Sequence, residues 1–224
     1  MTGRQTEAKR RAGVEAAGRV ESGMIVGLGT GSTAVFAVEE IGRRLGAGQL
    51  ARIVGVPTSV ATERLASGLG IPLGTLEEHP VVDLTIDGAD EVDPDGQLIK
   101  GLGGALLREK MVATASRRMV IVVDASKLVD RLGTRAPLPV EVVTFAAGAH
   151  TGAIRALGAE PELRRTPTGQ PYRTDEGHVI LDCRFAGGIA DPRAVQAALR
   201  ARPGVVETGL FLDLRPEVIV GRVP

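Results

Sequence analysis

Short apolar runs that end in glycine or acid, each followed by a stretch of helical pattern, most restrict what this chain can fold into. "MIVGLG" closes on glycines and leads into "STAVFAVEEIGRRLG", where apolar residues recur at helical spacing and Ser32 or Thr33 stands where a cap belongs. "RIVGVPT" leads in the same way into "SVATERLASGLG", a helix closed by glycine. "VVDLTIDGADEV" starts apolar and ends acidic, "RRMVIVVDASK" is more continuously apolar, and "GIPLGTL" is a candidate for a further short strand. A first helix is expected ahead of them, over Glu7 to Val20. Apolar runs alternating with helices pack as a mostly parallel sheet covered on both sides.

After "RLGTRAPL" the pattern changes. "PVEVVTF", "HTGAIRALGAE", "PELRRT", "HVILDCRF", "PRAVQAALRARPG" and "VVETGLF" read as strand, helix, strand, strand, helix, strand, the order of a split βαβ unit. The expected fold is therefore α/β: a mostly parallel, Rossmann-like sheet domain over 1–134 and 208–224, with a smaller α+β ferredoxin-like domain over 135–207. "TPTGQPYRTDEGH" is expected as a polar, exposed turn, and "PEVIVGRV" as a run that returns to the large sheet.

Lys+Arg and Asp+Glu both number 27 in the 224 residues, so no global field draws nucleic acid, an anionic membrane or a basic partner. Four Phe, one Tyr and no Trp leave no stacking platform for single-stranded nucleic acid. Cys183, the single cysteine, excludes an internal disulfide and a thiolate zinc cluster, and is expected as a buried strand residue rather than a nucleophile. No run approaches the ~18 to 20 apolar residues that cross a bilayer. The first twenty residues have neither a continuous apolar core nor a clear cleavage site, which makes the cytoplasm the expected location.

Three segments carry candidate chemistry. "GLGTGST", Gly27 to Thr33, places glycines after a strand and hydroxyls at a helix start, an arrangement that binds anions. The dinucleotide spacing G-x-G-x-x-G demands glycine where Ser32 stands, and the Walker pattern also fails, so a small anion such as a sugar phosphate is expected, against a purely structural turn. "DGADEVDPDG" holds five acids in nine residues. As a calcium loop, with Gly96 at its invariant glycine, it would put Leu102 where the last glutamate ligand belongs, and that reading fails. Asp87, at the carboxyl end of an apolar strand, and Asp90 are expected in a site, with a plain acidic turn as the alternative. Glu91, Asp93 and Asp95 are expected in solvent.

"KGLGGALLREK", Lys100 to Lys110, allows close backbone approach at Gly101, Gly103 and Gly104 before a helix over Ala105 to Ser116. Leu107, Met111 and Ala115 then share an apolar face, and Glu109 falls nearly opposite Leu107. By itself Glu109 reads either as an exposed helix glutamate or as a base. Taken together the segments supply an anion holder, polar groups for hydroxyls, Lys100 and a carboxylate. A carboxylate can take a proton from carbon when a neighbouring carbonyl acidifies it and the developing oxyanion is held, as in an aldose or ketose phosphate.

Through "GLGTGST", "DGADE", "KGLGGALLREK" and "VVDASKLVDRLG", with "LPVEV" and "YRTDEGHVILD", the chain resembles the ribose-5-phosphate isomerase A family over nearly its whole length. The resemblance implies interconversion of D-ribose 5-phosphate and D-ribulose 5-phosphate in the non-oxidative pentose phosphate pathway, by a homodimer or homotetramer with no nucleotide cofactor or essential metal. It implies Glu109 as the proton-transfer base, assisted by Asp87, Asp90 and Lys100. It implies substrate contacts from Thr30, Gly31, Ser32 and Thr33, from Asp87, Gly88, Ala89 and Asp90, from Lys100, Gly101, Leu102 and Gly103, and from Lys127 and Lys9. Two rivals use some of the same residues. A sugar-phosphate sensor would need an effector surface, and no DNA-binding helix pair is evident; a coenzyme A transferase would make Glu109 a nucleophile.

Overall fold

The computed structural model describes residues 3–222; the outermost residues of the expected large domain, 1–2 and 223–224, lie outside that range. In chain order the elements begin α1 (Gly3–Ala17), β1 (Ile25–Leu28), α2 (Ala34–Gly46), β2 (Val54–Pro57), α3 (Val60–Gly68), β3 (Leu84–Gly88), β4 (Glu91–Val92), β5 (Leu98–Ile99) and α4 (Leu106–Thr114). They continue with β6 (Met119–Asp124), β7 (Leu138–Val142), α5 (Thr151–Ala156), β8 (Ala159–Leu163), β9 (Val179–Phe185), α6 (Pro192–Arg200), β10 (Val205–Thr208), β11 (Leu210–Phe211) and β12 (Glu217–Gly221). Two compact units result: Met1–Ala89 with Arg108–Lys127 and Leu214–Pro224, and Asp90–Leu107 with Leu128–Asp213. The strand pattern draws its limits at 134/135 and 207/208, whereas here residues 90–107, 128–134 and 208–213 group with the second unit.

In the first unit the strands form a parallel sheet in the order β12-β6-β3-β1-β2. All six residues of β6 are buried, which is why its sequence is a continuous apolar run. "PEVIVGRV" supplies β12, paired with β6 from Glu217 opposite Val120 to Gly221 opposite Asp124. The core is aliphatic, with Val26, Leu28, Ile41, Leu84, Ile86, Val120 and Val122 at its centre. Against it α1 turns Ala8, Ala12, Gly13, Ala16 and Ala17. A Cβ on Gly13 would stand 2.7 Å from that of Phe36, so small residues are what let α1 approach α2. The first helix starts at Gly3, ahead of the expected Glu7, and ends at Ala17 rather than Val20. "GIPLGTL" makes only a single bridge, Gly55 to Leu73, instead of a strand. Ser59 caps α3 by accepting from the Thr62 N–H at 3.0 Å, whereas Thr33, at the cap of α2, makes no such bond. Among the described residues no helix is long and apolar enough to cross a membrane.

In the second unit the antiparallel sheet runs β10-β7-β9-β8, the order expected of the split βαβ pattern. Asp191 caps α6 by accepting from the Ala194 N–H at 3.0 Å, with Pro192 in the first turn. Cys183 is 1% exposed, and burial, helped by the Asp182 charge, pushes its thiol up to about 12, as an inert strand residue requires. A second antiparallel sheet, β11-β5-β4, contains the acidic turn: Asp93 Oδ1 accepts from the N–H groups of Asp95 at 3.0 Å and Gln97 at 2.8 Å.

One expectation about exposure fails here, and a second holds with one exception. Glu91 is not solvated but 1% exposed, its carboxylate taking the N–H of Gly133, of Arg135 at 2.6 Å and of Ala136 at 2.7 Å. The acid pins the 133–136 loop. The turn over "TPTGQPYRTDEGH" is exposed over much of its length, yet Thr174 is buried, its hydroxyl donating to Glu141 Oε1 at 2.9 Å. Replacing Glu91 with Ala strands those three N–H donors and is predicted to cost roughly 2–5 kcal/mol of stability, since each buried unsatisfied group costs on the order of 1–3. Thermal or denaturant unfolding checks this; a loss within about 0.5 kcal/mol is what an exposed surface acid would give.

Candidate active site

In the parallel sheet the chain steps from β1 outward to β2 and then returns to β3 on the other side, so the carboxyl ends of β1 and β3 form the switch point at which such sheets bind ligands. The turn of "GLGTGST" and Asp87 lie there. Their approach is close: a Cβ on Gly29 would fall 2.4 Å from Asp87 Oδ1 and 2.5 Å from its Cα, so no larger residue fits. Asp87 is fully buried, and its Oδ1 accepts from the N–H of Thr30 at 3.1 Å and of Gly88 at 2.7 Å. Gly88 and Ala89 follow, both half-buried.

The Thr30 hydroxyl faces a cluster of others, 2.8 Å from Thr58, 2.8 Å from Ser59 and 3.1 Å from Thr62. Thr58 and Thr62 donate in turn to the Leu28 and Gly29 carbonyls, both at 3.0 Å. This bracing of the turn from "PTSVAT" does not follow from the motif alone, although the run of hydroxyl residues after the second strand is its signal. Gly31 and Ser32 are exposed and Thr33 is buried at the start of α2. A depression of about 340 Å³ opens beside them, lined also by Val35 and Leu65.

The first helix delivers Lys9 to this turn. Its ammonium donates to Ser32 Oγ at 2.9 Å and stands 3.9 Å from Asp124 Oδ2 at the end of β6, with Lys9 5% exposed. Asp124, absent from the sequence-based candidates, accepts from the Ser126 N–H at 2.9 Å and from the Ser126 hydroxyl. Burial opposes its charge, but the Ser126 hydroxyl and N–H, the Gln5 amide and the Lys9 ammonium together hold its pKa below the ordinary aspartate value. Lys127 ends the single 3₁₀ turn Ala125–Lys127 that follows and is half-buried.

Glu109 lies in the first turn of α4, where a carboxylate is favoured by the helix dipole. The expected stripe of Leu107, Met111 and Ala115 is not the inward one: Met111 is 52% exposed and Leu107 half-buried. The buried face is Leu106, Glu109, Lys110 and Ala113, at i, i+3, i+4 and i+7, and Glu109 is 4% exposed. Two charges on the inward face disguise it as an outward one. Glu109 is therefore a buried acid rather than a surface one.

The remaining candidates belong to the second unit. Asp90 joins two motifs, its Oδ2 accepting the Leu102 N–H at 2.9 Å while its own N–H donates to the Ile99 carbonyl at 2.8 Å. Lys100 is 2% exposed; its N–H donates to the Gly209 carbonyl at 2.9 Å, and its ammonium lies 5.4 Å from the Phe211 ring centroid, within cation–π range. Gly101 is buried, with φ +105°, and Leu102 and Gly103 are exposed. Among the described residues no group of three His, Cys, Asp or Glu side chains is placed to hold a metal ion.

A family model of ribose 5-phosphate isomerase A (phosphoriboisomerase A) matches residues 54–223. The chain belongs to this family. A ribose-5-phosphate isomerase A of Roseiflexus castenholzii is 55% identical over 212 residues, 95% of this chain and 90% of the relative. A D-ribose-5-phosphate isomerase solved in complex with phospho-erythronic acid superposes with a TM-score of 0.93 at 40% identity, covering 96% of this chain and 94% of that one. The ribose 5-phosphate isomerase A of Methanocaldococcus jannaschii gives 0.89 at 38% identity, with 96% and 94% covered.

Within this isomerase fold, the lowered Asp124 pKa fixes the sign of a pH effect. A carboxyl whose folded-state pKa is depressed stabilises the fold above its unfolded value, here near 3.8, and that contribution is lost as pH falls through the folded value. The stability difference between wild type and Asp124→Asn, measured by denaturant titration, is predicted to be full at pH 6 and to shrink below pH ~3.8. A difference that grows on acidification is the contrary result.

Proposed function

We propose that the chain interconverts D-ribose 5-phosphate and D-ribulose 5-phosphate through a cis-enediolate, with Glu109 carrying the proton. The activity itself follows from membership of the ribose-5-phosphate isomerase A family. The assignment to Glu109 rests on one observation: in this isomerase the "LLREK" acid is 4% exposed, on the inward face of α4, instead of in solvent.

Ring opening needs a proton moved between O1 and the ring oxygen, the work of Asp87 with Asp90 and Lys100. In the open aldehyde the C1 carbonyl acidifies the C2 hydrogen. Glu109 takes that proton, the C2–H electron pair becomes the C1–C2 double bond, and the carbonyl pair moves onto O1. The proton on O2 passes to O1, Glu109 returns its proton to C1, and C2 becomes the ketone. No electron leaves the sugar, so the route needs neither nucleotide nor redox metal. The Lys100 ammonium and loop N–H groups hold the oxyanion, a type of contact commonly worth several kcal/mol when preorganised. A base shielded from bulk water also protects the enediolate from side reactions.

The other end of the substrate is a phosphate. Exposed Gly31 and Ser32, Thr33 at the start of α2, and Lys9 at 2.9 Å from Ser32 Oγ form the anion holder, with Lys127 as a further cation. Thr30 contributes by holding the turn in shape, because its hydroxyl is taken up by Thr58, Ser59 and Thr62 and its N–H by Asp87. The 40%-identical isomerase bound phospho-erythronic acid, which pairs a phosphate with a carboxylate as the enediolate pairs a phosphate with a charged oxygen. In the same reading the chain works in the cytoplasm, as the pattern of its first twenty residues suggests, and as a homodimer or homotetramer, as the family resemblance suggests.

A coupled assay of ribulose 5-phosphate formation tests the base. Glu109→Gln keeps size and hydrogen bonding, and kcat is predicted to fall by roughly 10² to 10⁴ with little change in inhibition by inorganic phosphate. Near-normal turnover by the folded variant contradicts the assignment.

A further inference from the structure

The loop of "KGLGG" holds glycine at three of five positions, and glycine peptides turn over at little cost. Something must decide which way its carbonyls and N–H groups face. In the second unit that decision falls to a residue no motif contains. Arg164 follows β8, its N–H donating to the Ile180 carbonyl and its own carbonyl accepting from Tyr172, both at 2.9 Å. One edge of its guanidinium grips Asp182 of β9, Nε to Oδ2 at 2.8 Å and Nη2 to Oδ1 at 2.5 Å. The remaining corner, Nη1, donates to two consecutive loop carbonyls, Gly101 at 2.9 Å and Leu102 at 3.1 Å.

The next carbonyl is held as well. The Tyr172 hydroxyl donates to Gly103 at 3.3 Å, and the Tyr172 ring lies 5.7 Å from the Arg164 guanidinium carbon. Gly104, at φ +85°, has no room for a Cβ, which would fall 2.1 Å from that hydroxyl. The side chains of the ion pair are only 11% and 22% exposed, so solvent screens it less than a surface pair.

A trans peptide puts its C=O and the following N–H on opposite sides. Holding the Gly101 and Leu102 carbonyls toward Arg164 therefore turns the N–H groups of Leu102 and Gly103 away from it. The first reaches Asp90 Oδ2 at 2.9 Å, which fixes an acid of the site as well. From this we infer that Arg164, held by Asp182, is a positioning residue for the isomerase: it sets the peptide orientations of Gly101 to Gly103, and through them Asp90 and the Gly103 N–H offered to the reacting oxygens. Lysine cannot replace it, because a single ammonium lacks the planar fork that meets a carboxylate and two carbonyls at once.

The inference rests on the reading of this loop as part of the substrate site, and the test separates the two. In the coupled assay, Arg164→Ala is expected to lose roughly 10- to 100-fold in kcat, with KM for ribose 5-phosphate within about threefold, since the groups affected face the reacting end and not the phosphate. Arg164→Lys is expected to lose a similar factor, and guanidinium chloride at tens of millimolar to restore activity several-fold to Arg164→Ala only. Asp182→Asn, which keeps side-chain size, should show the same kcat-weighted loss and serves if Arg164→Ala does not fold. A kcat per folded molecule within twofold of wild type, or full activity in Arg164→Lys, overturns the positioning role alone. A wild type that does not isomerise ribose 5-phosphate overturns the functional reading and this inference with it.

Discussion

At the carboxyl edge of the parallel sheet, Gly29 and Asp87 meet with room for a hydrogen atom and nothing larger. The contact follows from strand order, because β1 and β3 are neighbours there and the chain leaves them in different directions. A buried aspartate at such a place must find donors, and it takes them from Thr30 and Gly88. The Thr30 hydroxyl is then free to join Thr58, Ser59 and Thr62 below the turn, which leaves Gly31 and Ser32 as the exposed part. An anion holder and an acid are thus placed by one close approach rather than by two separate devices.

Charge burial recurs through the molecule, and the partners separate its uses. An ion taken from water costs several kcal/mol after relaxation unless hydrogen bonds and counter-charges offset it. Glu91 is satisfied by three backbone N–H groups and holds a loop; Glu141 of β7 meets Thr174 and His178 through its Oε1, which ties the turn before β9 to the antiparallel sheet. Lys9 and Asp124 meet beside Ser32, and Arg164 and Asp182 hold the glycine loop. With 27 charges of each sign the chain has no net field, and its electrostatics are these local arrangements.

Much of the fold was legible because each apolar run carried its own terminator. The run "MVIVVD" read as a continuously apolar strand and is buried on both faces, and the strand–helix order after residue 135 pointed to the antiparallel order β10-β7-β9-β8. Where the reading failed, tertiary contact overrode a local pattern. Periodicity put Met111 inward on α4 because Glu109 and Lys110 look like surface residues, and only the structure shows that these charges face in. Glu91 looked like one more acid of a solvated turn until the 133–136 loop, some forty residues away, supplied its donors. Arg164 was invisible for the same reason: it acts on a loop sixty residues earlier, from the end of a strand whose charged side chains suggest only an exposed edge.

Proton transfer at carbon is the claim on which the assignments of Glu109, Asp87, Asp90 and Lys100 all depend. The most direct measurement is NMR of ribulose 5-phosphate formed from ribose 5-phosphate in deuterated water. A carboxylate that takes the C2 proton and returns one to C1 is predicted to place solvent deuterium at C1, accumulating with repeated turnover. Complete retention of the original hydrogen, moved from C2 to C1 through extensive turnover with no solvent deuterium entering, would contradict it and point to hydride transfer instead.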